Sequence, residues 1–222
     1  MEKKENSIVD GVIWKQLLLF FFPILIGTFF QQLYNTVDTV VVGQYVGKEA
    51  LAAVGTTGTV INLLVGFFVG VSSGATVIVS QFFGAEDREN VSKAVHTSMA
   101  LAIVGGVVIM VVGFVSARPV LVAMSVPEEI LEDALLYMNV YYAGIIANMI
   151  YNIGTGILRA IGDSRMPLYI LIVCCLANVV LDLLFVVVFH WAVFGVAFAT
   201  VLSQVISLSL IHISEPTRLD VI

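Results

Sequence analysis

Two carboxylates in this sequence sit where water is scarce. Asp38 lies in "LYNTVDTVVV" and Asp182 in "CCLANVVLDLLFVVV". Each has amides one or two helical turns away on its own face, Gln31 and Asn35 for the first and Asn178 for the second. A charged carboxylate at the centre of an apolar helix costs about 2.5 to 3.5 kcal/mol on insertion scales, so each needs a proton, a partner or a cation. Thr200, with Gln204 and Ser207 below it at helical spacing, is a third group of the same kind. Carboxylates brought together in a low-dielectric pocket hold a proton more readily than they do in water. Asp, Asn and Thr oxygens also suit a hard cation such as sodium, so either ion fits Asp38 and Asp182. The structural alternative is an aspartate that is simply protonated or hydrogen-bonded and fixes helix packing.

The elements that must position these residues follow from composition. The chain is 59% hydrophobic and 12% charged, with a mean hydropathy of +1.04, which places it among integral membrane proteins. Six apolar stretches are long enough to cross a bilayer, over about 16–42, 51–78, 93–116, 130–152, 166–189 and 192–211. They are continuous and do not alternate, so the expected fold is an all-α six-helix transmembrane bundle and not a barrel. Residues 1–15 read as a cytoplasmic lead-in and residues 212–222 as an atypical polar tail.

Orientation rests on basic residues. Lys3, Lys4, Lys15, Arg88, Lys93, Arg159 and Arg165 fall on the N-terminal side, and only Lys48 and Arg118 on the other. That bias places the N-terminus in the cytoplasm of a multi-pass cell-membrane protein, with Trp191 at the outer interface. Asp38 and Asp182 then lie about seven residues short of the outer ends of helices one and five, and Thr200 about eight past the outer start of helix six. At 1.5 Å per residue all three share a depth of roughly 10 to 12 Å. A wet cavity opening outward, with the carboxylate pair in its floor or wall, is the expected arrangement. Asn148 and Asn152 on helix four add polar groups nearer the inner side. Pro23 interrupts the backbone bonding of helix one and favours a kink there.

Other motifs are weaker. "GVSSG", Gly70 to Gly74, matches the pattern of a hydrolase serine, but His190 lies at the opposite membrane face from Ser72, and His96 is at a helix start. Gly66, Gly70 and Gly74 also form a ladder that lets two helices approach closely. "FFGAEDREN" and "RAIGDSRMP" both place a glycine before acids and a base after an even-numbered helix, which hints at a three-plus-three repeat. Cys174 and Cys175 are adjacent and read as packing residues. No metal cluster, phosphate-binding loop or nucleic-acid signature is present in the sequence, and no cofactor is expected beyond a coupling proton or sodium ion.

The segments "PILIGTFFQQLYNTVDTVVVGQYVG", "LAAVGTTGTVINLLVGFFVGVSSGATVIVSQFFGAEDRE", "GILRAIGDSRMPLYI" and "NVVLD", in that order, resemble the N-terminal half of a MATE (multidrug and toxic compound extrusion) transporter. The resemblance implies one six-helix lobe of a twelve-helix protein that exports amphipathic or cationic compounds against a proton or sodium flux. It implies cation coupling at Asp38, Asn178, Asp182 and Thr200, a substrate cavity at Gln31, Tyr34, Asn35 and Gln204, and a bend at Pro23. The tail "SLIHISEPTRLDVI" departs from the family pattern and resembles translated sequencing-adapter read-through, so a truncated reading frame is expected. A half-length chain would need the missing C-terminal lobe or a second copy to complete the cavity. The alternatives are a flippase for lipid-linked sugars, for which cavity cations would be expected, an intramembrane serine protease using Ser72, and a non-transporting scaffold.

Overall fold

The computed structural model describes residues 12–214; most of the N-terminal lead-in and most of the polar tail lie outside the described residues. Six long helices follow one another: α1 (Ile13–Val41), α2 (Lys48–Gly84), α3 (Arg88–Ala123), α4 (Glu128–Ala160), α5 (Arg165–Asp182) and α6 (Ala192–Ser214). α1 continues into a π-helical segment, π1 (Val42–Val46), and α5 into a second, π2 (Leu183–Val188). All six are long and apolar enough to cross a membrane, and no strand occurs among the described residues.

Several helices run past the limits that hydropathy sets. α2, with 37 residues, spans about 55 Å at 1.5 Å per residue, well beyond a hydrocarbon core of about 30 Å. Polar residues such as Ser80, Gln81, Arg88 and Glu89 leave the apolar window but continue the helix, because water satisfies their side chains while the backbone bonds remain intact. α3 likewise carries Pro119 inside it and ends at Ala123, so Arg118 is helical and reaches Glu132 of α4 at 3.7 Å.

The connections are short helix-terminating turns. After α2 the N–H of Glu86 donates to the Phe83 carbonyl and that of Asp87 to the Phe82 carbonyl; after α4, Gly162 and Asp163 repeat the pattern on Arg159 and Leu158. These are Schellman-type closures, with Glu86 (φ 58°) and Gly162 (φ 88°) in the left-handed position. The turns therefore align Glu86 with Gly162, not Gly84 with Gly162 as the sequence comparison implied. Ser125 (φ 56°), in the turn on the opposite side, closes α3 the same way, so the shared geometry is helix termination and carries no mark of duplication. Asp87 then caps α3 by accepting from the Asn90 N–H, which holds its carboxyl below the usual carboxylate range.

The least apolar of the six helices is the most enclosed. In its most apolar window α4 is 56% buried, against 6% for α1. α2, α3 and α6 all pack on α4, while α1 lies along α5 and α5 along α6. Lipid solvates leucine as well as a protein core does, so the polar helix gains most from the interior. One apolar core, with Phe68, Leu121, Met138 and Ile145, fills the space between α2, α3 and α4. A second, with Val41, Val42, Tyr137, Val186, Val193 and Val196, lies toward the Trp191 end and surrounds the groups described next.

Candidate functional site

Asp38, Asn178 and Asp182 converge in the bundle interior. Asn178 and Asp182 are one turn apart on α5, where both are 0% exposed, and Asp38 on α1 is 8% exposed. Because α1 packs along α5, the two carboxyl groups face each other closely enough to share a hydrogen bond once one of them carries a proton. Thr200 of α6 is buried in the same layer, and its hydroxyl donates to the Val196 carbonyl at 3.0 Å. Tyr34 lies beside Thr200 and Asp38, and Tyr137 of α4 faces both aspartates.

The polar accounting at this point is unusual. Among the described residues, the buried side-chain oxygens and nitrogens that no donor or acceptor reaches are Asp38 Oδ1, both amide atoms of Asn178 and both carboxyl oxygens of Asp182. All of them belong to this cluster. Buried polar atoms elsewhere in proteins are nearly always paired, and leaving one unpaired costs about 1 to 3 kcal/mol, more for a charge. The ion pairs of the described residues, Lys93–Glu89 and Arg118–Glu132, are on exposed side chains far along the chain from the aspartates. Among the described residues no basic side chain compensates the pair, whereas a proton or a small hard cation would: the ligand atoms are oxygens of a carboxyl, an amide or a hydroxyl.

A cavity of about 70 Å³ is lined by Gln31, Tyr34, Asn148, Asn152, Ser203 and Gln204, together with Tyr151, Cys174 and Ser207. Asp38, Asn178, Asp182 and Thr200 are not in its wall. Its lining residues sit one to three turns from the carboxylate layer toward the end that carries Arg88 and Arg165, and they include Gln31, Tyr34 and Gln204 of the expected substrate cavity. Tyr34 belongs both to this wall and to the neighbourhood of Asp38 and Thr200. The cavity admits a few water molecules and is far smaller than the roughly 300 to 1,000 Å³ of a drug-sized site. Asn35 faces away from it, exposed, donating its amide to Gln32 Oε1 at 3.3 Å.

Comparison with known proteins places this arrangement. The MatE family model matches residues 23–184, a stretch that includes Asp38, Asn178 and Asp182. The chain belongs to the MatE family. It is 29% identical over 197 residues to the probable multidrug resistance protein YoeA of Bacillus subtilis, covering 87% of this chain and 42% of that protein. It is also 29% identical over 201 residues to the probable multidrug resistance protein YpnP of the same organism, covering 90% and 45%. The outward-facing structure of a multidrug resistance MATE family transporter of the MOP superfamily superposes with a TM-score of 0.87 at 29% identity, over 95% of this chain and 47% of that one. The chain thus spans less than half the length of the relatives it matches, and its six helices correspond to one lobe.

Within this MatE lobe the remaining candidate residues fall into place individually. Pro23 is half-buried inside α1, which continues through it without a break. Ser72 donates its hydroxyl to the Asn152 carbonyl of α4 at 2.6 Å, and His96 bonds within its own helix to the Ser92 carbonyl at 2.7 Å. The Gly66, Gly70 and Gly74 ladder faces open space, with nothing within 4 Å of a Cβ built on any of them. The close approach is made instead by Gly156 of α4, where a Cβ would meet Ser72 Oγ at 2.5 Å and Thr76 Oγ1 at 2.6 Å. Sequence reasoning missed Tyr137 and Tyr141. Their signal was the four-residue spacing in "YMNVYY" on the least apolar helix, which puts two phenols on the face that α4 turns inward.

Proposed function

We propose that this lobe belongs to a cation-coupled antiporter that exports amphipathic or cationic compounds across the cell membrane, with its N-terminus in the cytoplasm. The observation that carries this reading is the concentration of every unpaired buried side-chain polar atom of the described residues on Asp38, Asn178 and Asp182. Two facing carboxylates without a cationic neighbour repel each other in a low-dielectric interior. A proton shared between Asp38 and Asp182, or a sodium ion held by their oxygens with Asn178 Oδ1, removes that repulsion and gives orphaned oxygens a partner. Binding and release of the cation therefore change the attraction between α1 and α5, the two helices that carry the pair. An equilibrium between two lobe arrangements can be biased in this way, because the cation binds one arrangement better than the other. The names of the relatives, two of them probable multidrug resistance proteins, support a drug-like substrate class.

The test is export by vesicles containing the longer protein, driven in turn by an imposed proton gradient and an imposed sodium gradient. Asp38→Asn and Asp182→Asn should each abolish export, and the gradient that drives the unsubstituted protein identifies the ion. Export that survives both substitutions with its ion dependence unchanged would sink the assignment.

A further inference from the structure

The tip joining α5 to α6 carries features that the cation site does not use. Immediately after Asp182 the chain widens into π2, where the Phe189 N–H donates to the Leu184 carbonyl at 3.0 Å in an i→i+5 bond. The Trp191 N–H then returns to the Phe185 carbonyl at 2.9 Å. His190 (φ 56°) and Ala192 (φ 47°), on either side of Trp191, are both in the left-handed region that non-glycine residues avoid. Such strain persists only where surrounding contacts over-determine it. Those contacts are aromatic. Phe185 stacks on Trp191 at 5.1 Å and 10°, and its other ring neighbours are Phe198 at 5.4 Å, two residues before Thr200, and Phe189 at 6.0 Å. Gly195 fits between them with no room to spare, since a Cβ there would meet both Phe185 Cβ and Trp191 Cβ at 3.1 Å. On the opposite side, Val186 is buried with Val41 and Val42, the residues that follow Asp38 on α1.

A π turn takes one residue more than an α turn, so its loss rotates everything before it by about 100° relative to everything after it. π2 begins at the residue after Asp182. We propose that the Phe185–Trp191–Gly195 clasp is the positioning element of the cation site, holding π2 in its wide register so that Asp182 faces Asp38. Phe185, Trp191 and Gly195 are positioning residues, because none of them is among the site's ligands. Without the stack, π2 can relax to the more favourable α register and turn the Asp182 carboxyl away from its partner.

This inference rests on the reading of the aspartate pair as a cation site, and the experiment separates the two. The titratable groups beside the pair are Tyr34 from α1 and Tyr137 from α4; Cys174 and Cys175 lie about two turns along α5 from Asp182, and α6 brings the non-titrating Thr200. Trp191 is itself replaced in the variants tested, so a fluorescence readout is unsuitable. Infrared absorption of protonated carboxyl groups is specific to Asp and Glu. It should be followed against pH for the chain in lipid vesicles, and the component lost in Asp182→Asn assigned to the pair.

The clasp predicts that Trp191→Leu and Gly195→Ala shift the midpoint of that component by at least one pH unit while helix content stays unchanged. Trp191→Phe, which keeps a flat ring for the stack, should leave the midpoint within a few tenths of a unit. If Gly195→Ala does not fold, Trp191→Leu decides. An unshifted midpoint in folded Trp191→Leu overturns the clasp and leaves the site intact. Absence of any component lost in Asp38→Asn and Asp182→Asn overturns proton binding at the pair; a sodium-dependent carboxylate band in its place would be scored with the same variants by the sodium concentration at half-change. Absence of both removes the site and the clasp together.

Discussion

Ser72 donates to the Asn152 carbonyl across the α2–α4 contact at 2.6 Å, and that one bond distinguishes a packing serine from a nucleophile. A nucleophile needs its oxygen presented to a base and to a substrate; here the hydroxyl is buried and its proton is given to a backbone acceptor. Ser72→Ala should destabilise the chain by about 1 kcal/mol, the usual net worth of one hydrogen bond, as read by unfolding in mixed detergent micelles. A fluorophosphonate probe should leave Ser72 unlabelled; labelling would reopen the hydrolase reading. Asp38 and Asp182 are the opposite case, since their oxygens have nothing to accept from among the described side chains. Residue type and helical spacing identified both aspartates and Asn178. Tyr137 escaped notice because tyrosine in an apolar helix is ordinary, and only the neighbouring fold turns its phenol toward a carboxylate pair.

At the scale of elements, small residues have meaning only through what lies opposite them. Gly156 meets Ser72 and Thr76, and Gly144 would place a Cβ 2.5 Å from the Val201 side chain, so both set the distance between α4 and a neighbouring helix. Gly70 meets nothing. Gly156→Leu should therefore push α2 from α4 and cost about 1 to 3 kcal/mol, the range for overpacking, whereas Gly70→Leu should fall within about 0.5 kcal/mol in this chain. Equal effects in a detergent unfolding titration would show that the ladder packs inside the lobe after all. The helix ends teach a related lesson. Hydropathy located all six spans but stopped short on α2, α3 and α4, because it measures solubility in lipid while helix continuation depends on backbone bonding. The π segments were not legible either. Neither "VGQYV" nor "LLFVVV" contains a residue that forbids an ordinary α turn.

For the whole molecule, the exposed polar side chains along α1 are as informative as the buried ones. Thr28, Gln32, Asn35 and Thr39 recur at helical spacing on an uncovered face, satisfied only by their own helix or by each other. The chain spans less than half of the MATE transporter it superposes on. Expressed alone, it should confer no drug efflux on a sensitive host, since a cavity formed between two lobes is incomplete in one. Joined to a complementary second lobe it should restore efflux, and resistance measured by growth inhibition distinguishes the two; efflux by the lobe alone would show that a smaller path suffices. The sequence by itself determined the membrane class, the six spans and the identity of the buried carboxylates, because hydropathy, length and the cost of a charge in lipid are local properties. Only the tertiary structure decided which polar groups share a space. It brought Tyr137 to the carboxylates, set Gln31, Tyr34 and Gln204 in one cavity wall and left Asn35 out of that wall. Those outcomes depend on how side chains fill the gaps between helices that are distant in the chain, and no spacing rule along one helix contains that information.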